Sequence, residues 1–296
     1  MRSSRKAARR RKPRFGAESI GALILAYKAS PEWERLAPAS RATYATYLKV
    51  LEASPHDTVG DITRRDVLAV RDAVAATRGN GAATGFIRAA SALFSWAVDR
   101  EWIDATPVVR IKALPGGSLP AWGAQHVASA LAKLSEPLRR AVILAAHTGQ
   151  RRGDLCAMRW DAYDGGKLRF RQQKTGRDMA LTVPEALRAE LDAWKRDAKT
   201  LTILHDRWGQ PWKPQRLTEN LRRALAKIGM AGLGIHGVRK YVAADLAAHG
   251  ATTHEIAAVT GHKTLAMVQH YTESVDRERL GEQAVNRKAK QSRKSP

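Results

Sequence analysis

The chain has 296 residues, more than one minimal domain needs and enough for two separate cores. Lys and Arg outnumber Asp and Glu by 51 to 28, a formal charge of +23, which speaks against an enzyme of small neutral substrates and for a polyanionic partner. The sole cysteine, Cys156, sits in the apolar run LCAM and excludes an intramolecular disulfide framework or a CxxC metal knuckle.

Residues 1–14 carry Arg2, Arg5, Lys6, Arg9, Arg10, Arg11, Lys12 and Arg14 and read as a basic, flexible tail, but the rest of the chain remains basic without them. This start lacks the apolar region of a secretory signal, and no stretch reaches the roughly 20 apolar residues of a membrane span. The protein is therefore expected in the cytoplasm, associated with DNA and with no membrane. From Phe15 to about Glu101 apolar residues recur at three and four spacing, which predicts four helices, around Ile20–Tyr27, Tyr44–Leu51, Val67–Val74 and Phe86–Val98. Breaks are expected at SPEWERLAPAS, ASPHDTVGD and RGNGAA, with Ser40 and Thr63 as N-caps. Residues 15–105 thus form a small basic helical domain, and 106–120, within the proline- and glycine-rich DATPVVRIKALPGGSLP, form a linker. The second domain spans 121–285. It opens with a helix through PLRRAVILAAHTG and a short one from about Arg151 to Arg159. Alternation in KLRFRQQ and DMALTVP around KTGR then predicts a β-hairpin with Lys174 at or near its tip. Helices resume at 185–197, 214–228, 236–248, 253–259 and 264–271, with Thr252 and Glu255 spaced as a capping box and Gly250 as a stop. Residues 286–296 form a basic tail. The fold class is mainly α with a small β-hairpin, α+β.

Six residues of the second domain make chemical sense together: Arg151, Lys174, His236, Arg239, His262 and Tyr271. A phosphodiester under attack gains negative charge on its non-bridging oxygens, and a guanidinium fork offers two parallel hydrogen bonds while keeping its proton. Arg151 and Arg239 can clamp those oxygens. A tyrosine hydroxyl, with an ordinary pKa of about 10, attacks only when a base or a cationic environment disfavours its proton. Tyr271 is the nucleophile on this reading; His236 can serve as the base, and the cationic surroundings help. The leaving 5′ oxygen needs a proton that an ammonium can give and arginine cannot, which suits Lys174 on a hairpin that can fold over the site. His262, nine residues before Tyr271, can bond the phosphate through a ring N–H.

The segments that hold these residues resemble the tyrosine recombinases, also called the phage integrase family. HTGQRRGDLCAMRW resembles the first arginine box, with Arg151 as phosphate-binding arginine and Asp154 as the acidic residue that supports it. HGVRKYVAADLAAHG resembles the H-x-x-R box, TGHKTLAMVQHYT resembles the G-H box followed by the nucleophile, and Lys174 matches the lysine between the boxes. Thr260 stands where the family often has Leu, and Gly237–Val238 replace the commoner pair between His and Arg. Two arginines adjoin in the first box. The register TGxR favours Arg151, which would point Arg152 about 100° away around a helix.

The resemblance implies an N-terminal helical core-binding domain and a C-terminal catalytic domain. It implies a site-specific recombinase that cuts and rejoins DNA through a 3′-phosphotyrosyl intermediate and a Holliday junction, integrating or excising a mobile element, with no cofactor and no metal. The implied partners are double-stranded DNA recombination sites, further copies of the chain in a synaptic tetramer, and host or directionality factors. Other readings stay open at this point. A DNA-binding protein of the same fold could lack the cutting step, and Xer-type resolvases and type IB topoisomerases share much of the chemistry. Arg64, Arg65 and Arg88 read either as phosphate contacts or as a solvated face. His249, His254 and His262 invite a zinc site, but no cysteine or carboxylate stands at ligand spacing. Trp194, Trp208 and Trp212 read as packing and turn residues.

Overall fold

The computed structural model describes residues 15–117, 119–198, 200–269, 271–272, 281–282 and 285–286. The expected tail at 1–14, the end of the chain from 287 and His270 lie outside these residues. The chain divides into two compact units, 1–118 and 119–296. The described residues are mainly helical, with one two-stranded antiparallel sheet, which is the expected fold class. No helix among them is long and apolar enough to cross a membrane.

In the first unit, α1 (Ile20–Lys28), α2 (Pro31–Arg35), α3 (Pro38–Leu48) and α4 (Arg64–Arg78) surround α5 (Asn80–Asp99). Helix α5 alternates bulk with small residues: Phe86, Leu93 and Phe94 are fully buried, and Ala83, Ala89, Ala90 and Ala97 let neighbours come close. Five α-helices stand among the described residues of this unit where four helices were expected. SPEWERLAPAS is not a plain break but contains α2, started by Ser30, whose hydroxyl accepts from the Trp33 N–H at 3.2 Å, and by Pro31 at the first helical position. Ser40 is not an N-cap, because Pro38 begins α3 one turn earlier with Ala37 before it. Thr63 does cap α4, in a reciprocal box with Asp66. The break at RGNGAA shrinks to Gly79, whose φ of +83° suits glycine and lets α5 start at the next residue. The linker residues up to 117 lack regular structure yet are held to this unit. Arg64 Nε donates to the Val109 carbonyl at 3.0 Å, Asn80 Nδ2 donates to that of Pro115 at 2.8 Å, and Val108, Ile111 and Leu114 pack on the core.

The second unit is built around α7 (Glu136–Thr148), against which α6 (Ala124–Lys133), α9 (Glu185–Arg196), α10 (Pro214–Lys227) and α11 (Ile235–Ala248) pack. Helices α9 and α10 each offer one apolar stripe, Leu187, Leu191 and Trp194 in the first and Leu217, Leu221 and Leu225 in the second. Helix α6 was not expected. Val127, Ala130, Leu131 and, at its C-cap, Leu134 recur at three and four spacing and pack on the core of this unit. Helix α8 (Arg152–Ala157) leads to strands β1 (Lys167–Arg171) and β2 (Asp178–Thr182), paired with Leu168 opposite Leu181 and Phe170 opposite Met179. Helix α12 (Thr253–Thr260) starts at the expected Thr252–Glu255 box. The backbone is helical again at 265–269 and 271–272.

Candidate active site

Three chain reversals bring the predicted residues together. Helix α7 stops at Gly149, in the left-handed region at φ +61°, and Arg151 follows as the N-cap of α8. On α11, His236 and Arg239 are three apart and share a face. Helix α12 stops at Gly261, φ +72°, which turns His262 inward. The hairpin tip, 173–175, adds Lys174. A cavity of about 700 Å³ is lined by all six of Arg151, Lys174, His236, Arg239, His262 and Tyr271, joined by Arg152, Lys263, Thr175 and Thr218. Neither Asp nor Glu is among its described lining residues.

The lining is cationic, and the carboxylate that acts on Arg239, Asp154, is buried behind it. Arg239 is 1% exposed, and its Nη1 donates to the carbonyls of Gly149, at 2.8 Å, and Thr260. Its Nη2 is buried with no partner among the described residues. Burial, followed by the neighbouring Arg151, lowers the Arg239 guanidinium to about 10. Arg151 Nη1 donates to Gln172 Oε1 at 2.9 Å, and its Nη2 to the Gly261 carbonyl at 3.4 Å. Both imidazoles are disfavoured as cations. His262, 2% exposed, is pushed down to about 3 by burial and then by Arg239, Arg151 and His236. His236 is lowered by the desolvation of the pocket and then by Arg239, Lys240, Arg151 and Lys174, although its own side chain reaches solvent. The Tyr271 ring is half-buried, with its centroid 5.5 Å from that of His262 and 5.6 Å from the Lys240 ammonium. Lys174 is exposed at the tip.

Several residues stand differently from expectation. Asp154 makes no hydrogen bond to Arg151: its Oδ1 accepts from the Gln173 backbone N–H at 2.8 Å and so ties the hairpin to α8, while its Oδ2 is buried without a partner among the described residues. Arg152 does not point away, because it starts α8 at the rim of the cavity and donates to the Thr218 hydroxyl at 2.6 Å. The support of Arg151 falls to Gln172, which the sequence did not single out. This side chain is fully buried and accepts from Arg151 and from the Thr175 hydroxyl at 2.7 Å. Its amide donates to Gln150 Oε1 at 2.7 Å and to the Thr260 carbonyl at 3.1 Å. The carboxamide thus joins Arg151, the hairpin and the end of α12.

Gly261 belongs to the same arrangement. A Cβ there would collide with the Gln172 carboxamide, which four hydrogen bonds keep from moving aside. Gly261→Ala is expected to lose about 1–2 kcal/mol from the left-handed backbone alone and more from the collision. Urea unfolding with an unchanged midpoint would show that the network is not placed as described. Gly237 has a similar reason. A Cβ at that position would strike the Pro120 carbonyl and Trp122, whose N–H donates to the Gly237 carbonyl at 3.2 Å and whose indole donates to that of Gly234 at 3.0 Å. The glycine in HGVR therefore makes room for the start of this unit.

Arg64, Arg65 and Arg88 are exposed on the first unit, Arg64 with its Nε on Val109. His249 Nδ1 lies 2.8 Å from the Asp245 carbonyl, and His249 and His254 are exposed and line no part of the cavity. Among the described residues no three His, Cys, Asp or Glu side chains gather as a metal site. Cys156 is buried, and burial pushes its thiol up to about 12, as a core residue's would be. Trp194 and Trp212 are buried, and Trp208 is exposed at a turn completed by Gly209 at φ +75°.

The profile of the phage integrase family matches residues 124–278, just over half of the chain. The integrase of Escherichia phage HK022 is 24% identical over 258 residues, which are 81% of this chain and 72% of that one. Among solved structures, a lambda integrase dimer bound to a COC′ core site matches with a TM-score of 0.74 at 22% identity, covering 86% of this chain and 77% of that one. The Tn1549 transposon integrase in complex with transposon right end DNA matches with a TM-score of 0.69 at 13% identity, covering 89% and 99%. At these identities the structural likenesses speak for the fold alone.

Proposed function

The chain belongs to the phage integrase family of tyrosine site-specific recombinases, and from that premise we propose that it cuts and rejoins DNA with Tyr271 as nucleophile against a phosphate held by Arg151 and Arg239. The observation that carries this reading is the cavity in which a buried guanidinium nitrogen of Arg239 lacks a partner among the described residues and whose described lining holds cations but no carboxylate. A buried charge of that kind calls for an anion, and a tyrosine stands beside it.

The steps follow from the placement of the groups. The proton of the Tyr271 hydroxyl passes to a neutral imidazole, of which the cavity holds two, His236 and His262. The phenolate oxygen bonds to phosphorus, the two arginines stabilise the charge on the non-bridging oxygens, and the P–O5′ bond breaks. The Lys174 ammonium gives its proton to O5′. Attack by a second strand's 5′ hydroxyl on the 3′-phosphotyrosine reverses these events and releases Tyr271. The helical first unit serves as the core DNA-binding domain, with Arg64, Arg65 and Arg88 as phosphate contacts, and Asp154 holds the hairpin in place. Lambda integrase has been solved as a tetramer bound to a Holliday junction, and a synaptic tetramer of this chain on double-stranded sites is the corresponding assembly. The reaction integrates or excises a mobile element.

A duplex carrying the cognate site and nicked near the cleavage point traps the covalent adduct, which denaturing electrophoresis reads directly. An adduct is expected; its absence on verified cognate DNA would sink the proposal. In the same assay Lys174→Ala should form the adduct about 10²–10⁴-fold more slowly with an oxygen leaving group. A 5′-bridging phosphorothioate, whose sulfur leaves without a proton, should restore the rate. Failure of that rescue would remove Lys174 as the acid.

A further inference from the structure

Thr260 ends α12 with its side chain fully buried, and its hydroxyl has two neighbours at hydrogen-bond distance. One is the Ile256 carbonyl oxygen at 2.6 Å, and the other is His262 Nδ1 at 2.7 Å. A hydroxyl has one proton, and a carbonyl oxygen can only accept. The proton on Thr260 Oγ1 must therefore lie toward Ile256, since otherwise two oxygens would face each other at 2.6 Å with no hydrogen between them. Oγ1 is left as the acceptor for Nδ1, and Nδ1 must carry a hydrogen. The Thr260 carbonyl is itself fixed by Arg239 and Gln172, so the hydroxyl is presented from a rigid turn.

We propose that Thr260 is a positioning residue that holds the His262 proton on Nδ1, so that Nε2 enters the reaction as a proton acceptor. Resting on the recombinase reading, this assigns the base to His262 rather than to His236. The proton on Tyr271 Oη moves to His262 Nε2 as the phenolate oxygen bonds to phosphorus, the P–O5′ bond breaks, and Lys174 protonates O5′. The imidazolium so formed has Nδ1–H on Thr260 and a new Nε2–H for a non-bridging oxygen. Burial, and after it Arg239, Arg151 and His236, keep this imidazole neutral, and the charge of a bound phosphate offsets the cationic part. His236 then serves as a hydrogen-bonding group at the mouth of the cavity. A leucine at position 260 could not hold the tautomer in this way.

Two-bond 15N–1H correlation spectra of the full chain distinguish a protonated from an unprotonated ring nitrogen, with the His262 signals identified by their loss in His262→Gln. The wild type and Thr260→Ser are expected to show Nδ1–H with bare Nε2. Thr260→Val, which keeps shape and removes the acceptor, should shift the population toward Nε2–H. On the nicked duplex Thr260→Val should form adduct up to ~100-fold more slowly, with Thr260→Ser close to wild type. A wild-type spectrum showing Nε2–H, or a Thr260→Val protein with unchanged tautomer and rate, would overturn the inference. If the wild type forms no adduct, the recombinase reading and the catalytic half of the inference fall together, while the spectrum still decides the tautomer.

Discussion

Tyr271→Phe is expected to bind cognate DNA as the wild type does and to form no covalent adduct. The substitution removes one oxygen and keeps the ring that packs beside His262 and Lys240, so the half-buried position is not emptied. Two other hydroxyls line the cavity, and each is already committed. Thr175 donates to Gln172 at 2.7 Å, and Thr218 donates to the Pro214 carbonyl at 3.2 Å while accepting from Arg152. Each would also have to give up a proton held far more tightly than that of a phenol. Adduct formed by the Phe variant at any rate comparable to wild type would therefore remove Tyr271 as nucleophile.

Arg239→Lys is expected to slow adduct formation by about 10²–10³-fold although the formal charge is unchanged. The guanidinium works at both ends: Nη1 bridges the ends of α7 and α12 through Gly149 and Thr260, and Nη2 is left for the anion. An ammonium is a point charge with no planar fork and cannot keep both ends in register. Loss of folding is excluded by comparing the salt dependence of DNA binding, whose slope counts phosphate contacts and should hardly move when one cation replaces another. A variant with near-normal cleavage would show that the phosphate is clamped elsewhere.

Much of this site could be read from the chain because its reactive groups lie in short local patterns. TGQRR places an arginine just past a glycine helix stop, HGVR spaces two groups on one helical face, and KTGR between alternating strands marks a tip. The supporting residues had no such pattern. Gln172 meets Arg151, Gln150 and Thr260 across 21, 22 and 88 residues of sequence, and no periodicity encodes a contact at that separation. The expected Asp154–Arg151 pairing failed for the same reason, since the hairpin arrives from further along the chain and takes the carboxylate with the Gln173 N–H. In the fold, Ser30–Pro31 carried a readable start signal for α2 that the turn-like composition around it masked. Helix α6 likewise carried a readable stripe, Val127, Ala130, Leu131 and Leu134, which the proline- and glycine-rich linker just before it masked.

Positions 150, 172 and 261 constrain one another over generations. The Gln172 carboxamide occupies the space that any side chain on residue 261 would need, and the same carboxamide answers Gln150 and Arg151. Even apart from its left-handed backbone, residue 261 has room for a side chain only where residue 172 is smaller, and that change strands Gln150 and loosens the arginine. Effects of substitutions at such touching positions do not add. What one of these three positions tolerates is therefore set by what stands at the other two, through space inside the molecule rather than through any demand of the reaction.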